Sequence, residues 1–312
     1  MQADLPPGQA GQVLVRTVYS GVSRGTEALV FNGEVPRSQY EAMRAPFQEG
    51  EFPGPVKYGY ANVGEVLPEG APPDLAGHAV FCLYPHQDLY RVPAAAVARI
   101  PAGVPPARAV LAANMETAIN VVWDARPAAG DRIVVIGAGV VGLLVAWLCR
   151  QVPGAAVTAV DVNPERGSAA RALGVAFRTE AERQPAADLI VHASGQPAGL
   201  HTALDIAGVE ATIVEASWYG SRSVPLPLGE AFHSRRLTLR SSQVGRLPPD
   251  RAARWSHARR MRLALELLRA AELDALISGE SGFAELPAVM ARLSRDPRAA
   301  LCHRIRYPKD VE

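Results

Sequence analysis

Arg132-Ile133-Val134-Val135-Ile136-Gly137-Ala138-Gly139-Val140-Val141-Gly142 runs into an apolar stretch from Leu143 to Val152, and Val157-Thr158-Ala159-Val160-Asp161 closes the segment. The β-branched run before the glycines reads as a buried strand, the apolar stretch as a helix, and 157–160 as a second strand. Strand, glycine turn, helix, strand and acid in that order is the layout of a dinucleotide-binding βαβ unit.

Each residue type in it has a physical job. Gly137 permits the tight turn out of the strand, Gly139 lets a pyrophosphate approach the backbone, and Gly142 lets the helix pack on the sheet. Val140 and Val141 open the helix, whose free N–H groups and positive dipole end face the phosphates. Asp161, 19 residues after Gly142, can accept hydrogen bonds from the ribose hydroxyls and repel a 2′-phosphate. That favours NAD. Arg166, five residues on, keeps NADP open. An ordinary glycine-rich turn and a methyltransferase loop are the competing readings. The spaced strand, helix and acid favour the dinucleotide.

Working outward, 312 residues predict two domains, and 48% apolar residues suit sizeable cores. A formal net charge of +1 gives no reason to expect nucleic acid or an anionic membrane as partner. Cys82, Cys149 and Cys302 are odd in number and far apart, which supports neither a disulfide framework nor a cysteine zinc site. Met1–Pro7 has no basic region or apolar core, so no signal peptide is expected and the cytoplasm is the expected compartment. The apolar run from Ile133 to Cys149 is broken by glycines and is short for a membrane span.

Residues 1–108 read as β-rich, with strands at 12–19, 59–67, 79–83 and 89–92 and frequent Pro and Gly, which predicts a small irregular barrel. Pro101–Pro106 marks a boundary. Residues 107–123 read as helix, and strands at 189–193, 211–215 and 237–240 alternate with helices at 169–173 and 200–206, so a parallel sheet covered on both faces is expected. Residues 251–273 read as one long helix, 286–293 as another, and 301–307 as a last strand.

This order resembles the medium-chain dehydrogenase/reductase, or zinc-type alcohol dehydrogenase-like, superfamily. Ser20-Gly21-Val22-Ser23-Arg24-Gly25-Thr26-Glu27 is similar to its Gly-hydrophobic-Cys-Gly-Ser/Thr-Asp motif. Gly59-Tyr60-Ala61-Asn62-Val63-Gly64 is similar to its Gly-His-Glu-x-x-Gly segment, and Gly77-His78-Ala79-Val80 to its Gly-Asp-x-Val strand. The Ser-Arg-Gly-Thr-Glu text looks most like the subgroup containing bacteriochlorophyllide dehydrogenases. The resemblance implies an α/β protein with an N-terminal GroES-like β-barrel over 1–108, a Rossmann doubly wound parallel sheet over 109–250, and a segment 251–312 partly returning to the catalytic domain. It also implies a homodimer and a small-molecule substrate.

The departures bear on chemistry. Where zinc members carry Cys and His-Glu, this chain has Ser23 and Tyr60-Ala61, and Ala112–Thr117 offers Asn114 and Glu116 but no thiol. Zinc takes N and S ligands in a tetrahedron, so no zinc is expected. Hydrogen-bond donors must then handle the reacting oxygen. Tyr60, Ser23, Glu116, Tyr84 and His86 are the candidates, and Lys57 is expected to lower the phenol's pKa. Thr117, Ala193, Ser194, Gly195, Ala216 and Ser217 are candidate cofactor contacts, since α/β sheets bind ligands at the carboxyl ends of strands. His192 is expected to pack. The expected function is a zinc-independent, NAD(H)-dependent oxidoreductase acting on an alcohol/carbonyl pair. An enoyl/quinone-type reductase and a catalytically inactive nucleotide-binding protein are the alternatives.

Overall fold

The computed structural model describes residues 5, 7–182, 186–296 and 300–308. Most of Met1–Pro7 lies outside the described residues. The chain divides into two compact units, Met1–Ala113 with Met261–Glu312, and Asn114–Arg260. In chain order the strands are β1 (Gln12–Val22), β2 (Asn62–Val66), β3 (Ala79–Cys82), β4 (Leu89–Pro93), β5 (Val97–Arg99), β6 (Arg132–Ile136), β7 (Ala156–Val160), β8 (Ala176–Arg178), β9 (Ala187–His192), β10 (Ala207–Glu215), β11 (Thr238–Ser241), β12 (Ile277–Gly282) and β13 (Cys302–Arg306). The longer helices are α1 (Arg24–Phe31), α2 (Ala112–Ala125), α3 (Val140–Cys149), α4 (Arg166–Ala172), α5 (Pro197–Ile206), α6 (His257–Leu267) and α7 (Leu286–Arg295).

In the first unit a seven-stranded sheet runs β12-β13-β1-β2-β3-β5, with β4 also on β1. Apart from the parallel β12/β13 pair it is antiparallel. β1 organises it, pairing β4 through Gln12–Arg16, β2 through Val15–Ser20 and β13 through Tyr19–Val22. Its alternating Val13 and Val15 enter a core with Val66, Val80, Tyr90 and Val92. Fully burying one such side chain is worth about 1.5–3 kcal/mol. A second core joins Val22 and Ile305 to Val289 and Leu293 of α7.

In the second unit six strands are all parallel, in the order β8-β7-β6-β9-β10-β11. This is the doubly wound Rossmann order, with its switch point between β6 and β9. Strands buried on both faces read as continuous apolar runs, which is why β6 and β9 were legible.

The long helix expected over 251–273 is instead broken. Pro249–Ala252 is one turn, α6 spans His257–Leu267, and a 3₁₀ segment covers Ala271–Leu276. Ser256 accounts for the new start, because its hydroxyl accepts the Arg259 N–H at 3.1 Å, as a helix N-cap does. Trp255 turns to pack on Trp123, with ring centroids 4.8 Å apart. No described helix is long and apolar enough to cross a membrane.

Candidate functional site

The glycine turn follows β6 at the switch point. Gly137 has φ +103°, and a Cβ on it would lie 2.6 Å from the Ser194 nitrogen, so only glycine fits where the turns after β6 and β9 meet. Gly142 is equally constrained, since its Cβ would fall 1.9 Å from the Gly137 carbonyl oxygen. Gly139 differs. It sits at the N-cap of α3 with φ −75°, no side chain caps the helix, and a Cβ there would have no neighbour within 4 Å. Folding does not require a glycine at 139, and the space beside it is open. Gly139, Val140 and Val141 are half-buried at this open end.

Asp161 follows β7 and faces the turn. One carboxylate oxygen accepts the Ala138 N–H at 2.8 Å and the other the Asn163 N–H at 2.9 Å. Each keeps a lone pair for a further donor. Arg166 opens α4 and is buried. Past β9 and β10, Ser217 Oγ accepts the Gly195 N–H at 3.0 Å, and the Ala216 N–H reaches the His192 carbonyl at 2.9 Å. The Ala193 N–H bonds the Ile136 carbonyl at 2.8 Å. Thus Ala193, Ser194, Gly195, Ala216 and Ser217 cluster at the carboxyl ends of adjacent strands. His192, fully buried, packs as expected, but through polar bonds to Glu215 Oε2 (2.8 Å) and Ser194 Oγ (2.6 Å). The dinucleotide therefore fits the residues present: an open glycine, a helix start and a carboxylate beside them.

In the first unit, Ser23, Tyr60 and His86 come together around a residue the sequence reading quoted but gave no role, Glu27. The Tyr60 hydroxyl donates to Ser23 Oγ at 2.6 Å. Ser23 is the N-cap of α1, and its N–H donates to Glu27 Oε1 at 2.7 Å. Glu27 Oε2 lies 2.9 Å from His86 Nε2. His86 Nδ1 lies 2.7 Å from Ser20 Oγ, which lies 3.0 Å from the Tyr307 hydroxyl. Burial first, then the Glu27 charge, push the Tyr60 phenol up to about 12, against the hydroxyls of Ser23 and Thr26. The readable signal for Glu27 was an acid spaced with Val30 on the buried face of an eight-residue helix.

Two expected members of this unit stand apart from that group. Lys57 does not reach Tyr60, and its phenol is raised, not lowered. The Lys57 ammonium pairs with Glu49 across the short Glu49–Gly50/Val56–Lys57 hairpin and with Gln87 Oε1 at 2.5 Å. Tyr84 is buried in the barrel core, stacked on Tyr90 with centroids 3.8 Å apart, and burial followed by Glu49 raises it to about 12. Glu116 and Thr117 lie on α2 in the other unit. Glu116 is bound by the buried Arg260, at 3.1 Å from Nε, and burial still holds its pKa above the usual carboxylate value.

Around Ser23 stand a hydroxyl, a phenol held protonated and the Glu27–His86 pair, whose carboxylate and imidazole face each other, while zinc takes thiolate, imidazole and carboxylate in a tetrahedron. Among the described residues no three His, Cys, Asp or Glu side chains converge on one point.

No protein-family model matches the sequence, and no curated protein matches it. Solved structures do. A short chain alcohol dehydrogenase from Escherichia coli complexed with NADH is 18% identical over 97% of this chain and 94% of that one, with a TM-score of 0.74. An alcohol dehydrogenase from a Thermus species is 21% identical over 99% and 96%, also at 0.74. A 2R,3R-butanediol dehydrogenase from Bacillus subtilis is 16% identical over 98% and 95%, at 0.75. The chain has the fold of these dehydrogenases: a Rossmann doubly wound sheet joined to a GroES-like β unit.

Proposed function

We propose that this chain is a zinc-independent member of the medium-chain dehydrogenase/reductase superfamily, an NAD(H)-dependent oxidoreductase acting on an alcohol/carbonyl pair. The observation that carries this is Gly139, a glycine the fold does not need, at the mouth of a Rossmann helix with Asp161 beside it. The bound dinucleotide would supply or accept the hydride. Asp161 would bind the ribose hydroxyls and disfavour a 2′-phosphate, hence NAD before NADP.

The other unit offers the proton-handling groups. In the reducing direction the Tyr60 phenol, still protonated at neutral pH, and the Ser23 hydroxyl would hydrogen-bond the substrate oxygen. As the carbonyl carbon gains hydride, its oxygen gains charge and takes the phenol's proton. The phenolate then regains one from water. A donor aimed at developing charge supplies typically two to four kcal/mol. We place the enzyme in the cytoplasm as a homodimer with a small-molecule substrate, a compartment supported by three buried, unpaired cysteines.

The test is a fluorescence titration with NADH and NADPH in parallel, followed by a panel of alcohols, saturated ketones and enones. Tight NADH binding and turnover of alcohols or ketones is expected. Turnover of enones alone would make it an enoyl/quinone-type reductase, binding without any turnover an inactive nucleotide-binding protein, and binding of neither nucleotide would overturn the reading.

A further inference from the structure

Glu27 is a buried carboxylate whose side chain is 4% exposed. Burying such a charge is costly unless it is partnered, and among the described residues its one ion-pair partner is His86, itself 7% exposed. A carboxylate that merely closed a helix start would need only Oε1, on the Ser23 N–H. Here Oε2 is committed as well, to an imidazole that the surrounding chain holds in place. Gly59 leaves room for the ring: a Cβ there would lie 2.9 Å from His86 Cδ2. Asn62 Nδ2 reaches the carbonyls of Pro85 and Gln87, on either side of His86, at 3.4 and 3.5 Å, and Thr17 Oγ1 donates to the same Gln87 carbonyl at 2.5 Å.

The groups facing Glu27 come from four segments: Tyr58 and Tyr60 before β2, His86 after β3, Cys302 on β13 and Tyr307 just past it. Its negative charge disfavours ionisation of Tyr58, Tyr60, Cys302 and Tyr307 alike. An imidazole is the one side chain of this set that ordinarily exchanges a proton near neutrality.

We propose that Glu27, backed by His86, is the positioning residue of the proton-handling site, orienting Ser23 and, through it, the Tyr60 phenol. Its catalytic meaning rests on the oxidoreductase reading; the arrangement itself does not. Glu27 touches neither substrate nor cofactor in this scheme. It acts through Tyr60, which donates rather than accepts when a carbonyl oxygen arrives.

The experiment is a stopped-flow pH-jump titration of the tyrosinate band by ultraviolet absorbance in the full chain without nucleotide, read before the chain unfolds. The Tyr60 signal is isolated by subtracting Y60F, with Glu27 intact and in E27Q, whose amide keeps the shape and the Ser23 bond but not the charge. With Glu27 present the Tyr60 phenolate should form only near pH 12. In E27Q it should form about one pH unit earlier, the size expected for removing one nearby charge. Coincident curves would overturn the proposal and leave Glu27 a helix cap. Should E27Q fail to fold, the unsubstituted protein still decides. Ring-nitrogen NMR, assigned against H86Q, should show a proton fixed on His86 Nε2 at pH 7, facing Glu27. A neutral Nδ1–H tautomer, or a ring averaging both, would overturn the dyad. Neither readout needs activity, so a moved Tyr60 signal without NADH binding would reject the oxidoreductase reading alone, and NADH binding with an unmoved signal would reject this proposal alone.

Discussion

Gly59 and His86 are fitted to each other: with φ +123° and a would-be Cβ 2.9 Å from the imidazole, position 59 has neither the backbone conformation nor the room for a side chain. Gly59→Ala should therefore cost about 1–3 kcal/mol for the left-handed backbone alone and push the His86 ring off Glu27. Urea unfolding measures the first. Unchanged stability would mean that the chain at 58–60 relaxes freely and that His86 is not held.

Gly139 and Gly142 should separate ligand from fold. Gly139→Ala meets open space, so its melting temperature should match the parent, while NADH affinity falls at least about tenfold because a methyl stands where the pyrophosphate approaches. Gly142→Ala collides with the Gly137 carbonyl and should destabilise the chain outright. Paired melts and NADH titrations check both. Equal loss of stability in the two variants would refute the assignment of Gly139 to a ligand.

Asp161→Ala should weaken NADH by about 1–3 kcal/mol, or roughly five- to 150-fold, since a carboxylate bonded to hydroxyls makes strong charge-assisted bonds. NADPH should lose less, or gain, as the repulsion of its 2′-phosphate disappears. Isothermal titration with both nucleotides measures the ratio. An unmoved NADH/NADPH ratio would take the ribose role from Asp161.

Alkaline pH should unfold the protein earlier than its neutral stability suggests. Burial raises Cys82, Cys149 and Cys302 from 9.0 to about 12, and burial with Glu27 raises Tyr60 from 10.0 to about 12. A raised folded pKa gives a contribution that is complete below the unfolded pKa and lost as pH rises through the folded one. Between pH 9 and 12 the unfolded chain has released protons that the native chain keeps. Each thiol then removes up to about 1.4 kcal/mol per pH unit. Melting temperatures should be flat with respect to these groups from pH 6 to 8 and fall steadily above 9. A flat profile to pH 11 would contradict the burial of these groups.

Arg260→Met should be costlier than the loss of both partners. Arg260 Nε, Nη1 and Nη2 reach Glu116, Asn120 Oδ1 (2.5 Å) and the Val244 carbonyl (2.6 Å), all out of water. Removing it leaves a buried carboxylate unpaired, at about 3–5 kcal/mol. Adding Glu116→Gln should restore part of that loss in urea unfolding. Simple additivity of the two changes would show that the pair is not coupled.

The Rossmann unit was legible in the sequence because its evidence is local. β6, the glycines, α3 and Asp161 lie within 30 residues, and each residue type answers to one physical demand. The barrel strands were legible for the same reason, through alternation along β1. What escaped the reading depends on distant partners. Lys57 was drawn to Tyr60 by nearness in sequence, but a short hairpin gives it Glu49. Nothing near Glu116 in the sequence announces Arg260, 144 residues on, which pairs with it. The break at 253–256 had a local sign, Ser256 three residues before Arg259, which the leucine spacing outweighed. Glu27 carried the other unused sign, a carboxylate on an apolar helix face.

The pairing of β1 with β13 has a consequence for how the protein is made. Tyr19 sits opposite Arg306, so the strand that organises the first unit waits for a neighbour synthesised 287 residues later. The second unit, Asn114–Arg260, leaves the ribosome complete while that flank of β1 has no partner from β13. Closing so long a loop is slow, and an open strand edge invites pairing with other chains. During translation the nascent barrel is the vulnerable part of the molecule, and a chaperone that shields Tyr19–Val22 until Cys302–Arg306 arrives would raise the yield of folded protein without changing its final stability.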